Sequence, residues 1–160
     1  MGNRSSLLIS DYILRRTANR QLTPFHLIKM VVIAHGRHLA TTNEPLIADR
    51  IEAWKHGPVI PILYHELKIY GDGIVPTLRY CGTQVNEPIR DEFFDTILSE
   101  EERRIIDGVV YDYGDWTMGQ LYELCHAPGS PWDTCYTGEL GVEIPDYVLK
   151  QYYMEELLSS

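Results

Sequence analysis

Six histidines and three cysteines are the residue types from which this 160-residue chain could build a metal site or a nucleophile. His35 and His38 fall three apart on a predicted helix, and Cys125, His126 and Cys135 lie close in sequence. Structural metal sites pair their ligands at short fixed spacings, and no Cys or His pair with a matching second pair occurs. The His35–His38 interval is one residue short of the usual His pair. Cys125 and His126 do not make a nucleophile and base as neighbours on one helix. Adjacent helical residues diverge by about 100°, whereas the base must lie within reach of the thiol. Asp91, Glu92, Asp95 and Glu100 to Glu102 offer carboxylates, yet no acid–base pair stands out among so many. No G-x-S-x-G elbow, P-loop, HExxH or GxGxxG is present. The expectation is a protein with no catalytic residue, no metal and no cofactor. A thiol- or metal-dependent hydrolase using Cys125, His126 and a carboxylate stands as the enzyme alternative.

Aromatic residues carry more information. The chain has eleven tyrosines and three tryptophans, residues that combine large contact area with a polar handle. Trp54 and Trp132 lie beside Gly/Pro turns rather than within regular apolar stripes. Each suits either a lid over the core or a contact with a partner protein.

Charge divides the molecule. Residues 1–80 carry +4 and residues 81–160 carry −13, which together give the net −9. An acidic half argues against a broad nucleic-acid surface, because phosphate neutralisation supplies most non-specific affinity. Arg15, Arg16, Arg20, Lys29, Arg37 and Arg50 could form a modest basic patch, and a DNA-binding regulator is the alternative built on it. The helix after Arg20 is nearly all apolar, however, and lacks the polarity of a recognition helix. The acidic half suits solubility or attraction of a basic protein partner. No apolar run approaches the length of a membrane helix or signal peptide, and three cysteines without a CxxC pair fit reduced thiols, so a cytoplasmic location is expected.

The elements that position these residues are mainly α: one compact domain over residues 1–160, with five to six helices and a small β-hairpin at about 46–54. A first helix runs from about Leu7 to Arg16, capped by Ser5 or Ser6. Thr23 caps a second, with Pro24 at its first position; from Phe25 to His38 it is apolar around most of its circumference, so it is the buried core helix. Leu46 to Trp54 reads as the hairpin, turning at Asp49-Arg50. Pro58 and Pro61 then fall in a first helical turn, followed by Leu63, Tyr64 and Leu67, with Gly71 as the stop. Residues 72–95 are irregular, apart from Gly73-Ile74-Val75 as a short strand. Ser99–Glu102 and Thr117–Gln120 are capping boxes opening two further helices. His126 to Trp132 is a loop, and a last helix starts at Pro145.

Certain of these residues resemble a known family. Leu22-Thr23-Pro24-Phe25-His26-Leu27-Ile28-Lys29-Met30, Pro45-Leu46-Ile47, and Ile51-Glu52-Ala53-Trp54-Lys55-His56-Gly57-Pro58-Val59-Ile60-Pro61-Ile62-Leu63-Tyr64 together look like the Panacea domain, the SocA-like phage-associated family. The similarity is best over about residues 7–71. It continues more weakly through Leu121 to His126 and Pro131-Trp132. The resemblance implies a helical domain encoded in prophages and toxin–antitoxin pairs, where it binds and neutralises a toxin or delivers it to a protease. Phage counter-defence is the variant role on the same fold. It implies a protein partner and no catalytic residues, and it marks Trp54, Gly57, Pro58, Val59, Tyr64, His126 and Trp132 as motif and contact residues. A homo-oligomer is compatible with it. The family's core helix usually reads Lys-Leu-Leu-Tyr-Phe; here Lys29-Met30-Val31-Val32-Ile33 lacks the aromatic residue.

Overall fold

A computed structural model describes residues 4–17, 21–76 and 91–159. Helix α1 (Ser6–Arg16) is capped by the Ser5 hydroxyl, which accepts from Leu7 N–H. Helix α2 (Pro24–Thr42) opens on a capping box in which His26 takes the place of the usual Glu or Gln. Thr23 Oγ accepts from the His26 amide, while the His26 ring accepts from the Thr23 amide. That acceptor role leaves the proton on His26 Nε2, which donates to the Trp116 carbonyl at 2.9 Å. The helix runs one turn past His38 and stops where Asn43 turns left-handed at φ 63°. Having apolar side chains all round, it can bury them only by being surrounded. Helices α1, α3 (Pro61–Leu67), α5 (Glu100–Tyr113), α6 (Met118–Cys125) and α8 (Asp146–Ser159) all contact it. The core runs from Leu8 in α1 to Tyr153 in α8.

The mainly helical class holds, with eight α-helices among the described residues and a three-stranded antiparallel sheet. Helix α4 (Asp91–Ile97) lies in a stretch that reads as irregular. Helix α7 (Pro131–Cys135) lies in one that reads as a loop; the Ser130 side chain caps it and Pro131 fills its first position. Both capping boxes form as expected, at Ser99–Glu102 and at Thr117–Gln120. Gly73 to Val75 is not a strand, although the Val75 amide donates to Leu22 O at 2.9 Å. Arg20, Cys81, Gly82 and Pro88 lie outside the described residues.

The hairpin is displaced from its expected place. Strand β1 (Glu52–Trp54) pairs with β2 (Gly57–Val59) across a turn at Lys55-His56, and β3 (Val142–Glu143) covers the other edge of β1. Residues 46–49 are engaged elsewhere. The Leu46 and Ile47 amides both donate to His35 Nδ1 at 3.2 Å. Arg4 forms a parallel bridge with Ile47. Asp49, read as a turn residue, instead accepts from the Ser6 amide at 2.8 Å and hydroxyl at 2.6 Å. Pro58 is therefore a strand residue opposite Ala53, on an edge strand where a missing N–H is tolerated; only Pro61 opens a helix.

The charge division becomes an internal clamp. Arg4 meets Glu102, Arg16 meets Asp107, Arg37 meets Asp112 and Arg50 meets Glu143 at 2.8–3.3 Å, so arginines of the first half hold carboxylates of the second. Those arginines do not form the basic patch the sequence suggests. Lys29 is not on the surface at all: it is 2% exposed.

Candidate protein-binding site

The site is built on Lys29. Its place within an apolar helix buries the ammonium under the hairpin, where Nζ donates to the Pro58 carbonyl at 2.7 Å and sits 4.6 Å from the centre of the Phe25 ring. Burial pulls its pKa down from 10.5 to about 8. Gly57 makes this approach possible. It adopts φ 117°, which side-chain-bearing residues avoid, and a Cβ there would lie 3.2 Å from both Lys29 Nζ and the His126 ring.

Around this anchor the rings form a belt. Tyr122 stacks on His126 with centroids 3.8 Å apart, one helical turn away along α6, and the His126 Nδ1–H donates to Tyr122 O at 2.8 Å. His126 meets Trp132 at 4.2 Å, and Trp132 stacks on Tyr136 at 4.7 Å. The Trp132 indole N–H donates to the Trp54 carbonyl, fastening α7 to β1. Trp54 lies edge-on to Tyr64 at 5.1 Å, and its own indole N–H donates to Glu52, whose carboxyl is pulled down chiefly by that bond. His56 reaches Tyr122 at 6.4 Å.

All seven residues singled out in the sequence thus meet at this corner, in three roles. Gly57, Pro58 and Val59 are buried and shape the strand. Trp54, His126 and Trp132 are half-buried and tie the elements together. Only Tyr64 is exposed. The outward-facing partners of the belt are Lys55, His56 and Tyr122, which sequence reading passed over. So was Lys29 as an anchor. Two signals could have found them: a single charge inside an apolar helix, and an aromatic four residues before His126.

The arrangement does not suit acyl transfer. Burial pushes the Cys125 thiol up to about 11, so the weakly nucleophilic thiol form prevails at neutral pH. The cavity behind the corner, lined by Val32, Pro58, Cys125, Trp132 and Tyr153, holds about 20 Å³, the space of one or two water molecules. Among the described residues no three His, Cys, Asp or Glu side chains converge as metal ligands, and no helix is long and apolar enough to cross a membrane.

Comparison with known proteins places this corner in context. The profile of the antitoxin SocA-like Panacea domain matches residues 27–133, from the first turn of α2 through the hairpin to α7. Antitoxin SocA of Caulobacter vibrioides (strain NA1000 / CB15N) is 28% identical over 139 residues, covering 82% of this chain and 71% of that protein. No solved structure matches the chain. With the match spanning most of the core helix, the hairpin and the rings from Trp54 to Trp132, the chain belongs to the antitoxin SocA-like Panacea domain family.

Proposed function

We propose that this protein is a non-enzymatic antitoxin that binds and neutralises a toxin or other effector protein by direct contact, using the hairpin corner. The supporting observation is how the corner divides its work. Trp54, His126 and Trp132 are locked by ring stacking and hydrogen bonds, while His56, Tyr64 and Tyr122 face outward beside them. A contact surface that is already rigid loses little conformational freedom on binding, and tyrosine supplies much of the energy at such surfaces. The acidic second half favours a basic partner.

The test uses the product of the adjoining gene. Co-expressed with it, the intact chain is expected to co-elute with that product and relieve its toxicity. The H56A/Y122A variant, altered only at exposed rings, is expected to fold normally and lose both properties. Absence of co-elution by the intact chain, or full neutralisation by the variant, overturns the proposal.

A further inference from the structure

Helix α8 carries apolar residues on both sides, and among the described residues only one side is used by the fold. Leu149 and Tyr153 are buried against α2. Tyr147, Met154 and Leu158 point outward at 75%, 38% and 84% exposure, with exposed Gln151 between them. The intervals of four, three and four residues are those of a seam on which another helix packs. The outer face of a helix finished by its own domain is normally polar. Beside this seam lies a groove of about 290 Å³ lined by Gly129 and Thr134 from the α7 side and by Tyr147, Gln151, Tyr152 and Glu155 from α8.

We propose that this face is a second docking surface, and that its occupant is a basic amphipathic helix of a partner protein. The exposed carboxylates beside the groove are Asp133, which accepts from the Gly129 amide, and Glu155, which accepts from Gln151, while Asp146 at the start of α8 is held by His35. Lys150, the cation of α8, is turned to the Asn43 side chain. The apolar stripe calls for a helix of about three turns, and the carboxylates call for Lys or Arg along its flanks. A second copy of this chain would bring the same carboxylates against themselves. An anionic membrane surface would be repelled in the same way. The inference rests on the protein-binding reading above, with a contact separate from the hairpin corner.

The test titrates three synthetic peptides of about four helical turns into the isotope-labelled full-length chain and follows backbone amide resonances. One is a Lys/Leu amphipathic helix, one its scrambled isomer, and one a Glu/Leu counterpart. The Lys/Leu helix is expected to shift the amides of Gly129, Tyr147, Gln151, Met154 and Leu158, with affinity that weakens as salt rises; the other two are expected to leave them unmoved. Y147A/L158A, changed only at exposed positions, is expected to weaken binding about tenfold or more at unchanged thermal stability. Shifts centred on another surface, no binding at low salt, equal binding of the Glu/Leu peptide, or self-association of the chain through α8 overturns the proposal. The His56/Tyr122 neutralisation assay reads a different surface, so the two readings fail independently.

Discussion

The two halves of α2 hold their neighbours by opposite means. Near its C-terminal half, Gly36 lets α8 come so close that a Cβ there would fall 2.2 Å from the Tyr153 ring. His35 accepts the Leu46 and Ile47 amides on one nitrogen and donates to Asp146 with the other at 2.9 Å, tying the 44–47 loop and the start of α8 together. That half holds α8 and the 44–47 loop by shape and by bonds needing no charge on the helix itself. Near the N-terminal half, a single buried cation holds the hairpin by one carbonyl, with the Phe25 ring of its own helix beside it. The contrast separates a permanent joint from a tunable one. Close packing has no adjustable part, whereas a lone buried ammonium answers to pH and to the loss of one acceptor.

Changes on each half can break or sharpen this contrast. The largest effect is expected at the packed joint. Gly36→Val should cost about 3 kcal/mol, since Tyr153 is buried and the edge of its rigid ring, not a flexible tip, blocks the new atoms. Urea unfolding measures it, and a loss below 1 kcal/mol would mean that α8 is free to shift. Next comes Lys29→Ala, which leaves a cavity and an unpaired Pro58 carbonyl, for about 2–3 kcal/mol. Hydrogen exchange should show that loss concentrated in residues 53–58 while α8 keeps its protection; uniform loss would erase the distinction.

The same lysine sets a pH dependence. Its folded pKa, about 8, lies below the ordinary 10.5, so above pH 8 the unfolded chain holds more protons than the folded one and stability rises. Cys125 acts oppositely: raised from 9.0 to about 11, it stays protonated in the fold while the unfolded thiol ionises, and stability falls above pH 9. Stability should therefore climb between about pH 8 and pH 9 and turn down beyond, because Cys135 and the buried Tyr12 and Tyr153, all raised by burial, keep protons in the fold that the unfolded chain gives up. Lys29→Met should abolish the climb, as read by unfolding midpoints across that range. The smallest effect belongs to Trp132→Phe, which removes the bond to the Trp54 carbonyl and trims the half-buried indole to one ring that can still stack on Tyr136, and should cost about 1 kcal/mol.

Much of the fold is legible in the residues because its signals are local. Thr23-Pro24, Ser99–Glu102 and Thr117–Gln120 each start a helix within four residues of chain, and the unbroken apolarity of α2 announces its burial. The hairpin is displaced in the sequence reading because its competitors are distant. Asp49 looks like a turn residue until Ser6, 43 positions away, claims its carboxylate. Helix α7 hides in a Gly/Pro-rich stretch because five residues leave too little periodicity to read. At the site, the motif residues declare themselves by type, but their roles do not. Whether Trp54 covers the core or faces a partner depends on Trp132, 78 residues later.

The bond from Trp132 to Trp54 also makes the corner an optical instrument. Two of the three tryptophans share that bond, one ring lying between His126 and Tyr136 and the other against Tyr64. An indole held among rings and hydrogen-bonded to a carbonyl emits differently from one bathed in water. Any event that lifts the hairpin from α7 thus changes the intrinsic fluorescence of the molecule, and the corner reports its own opening without a label.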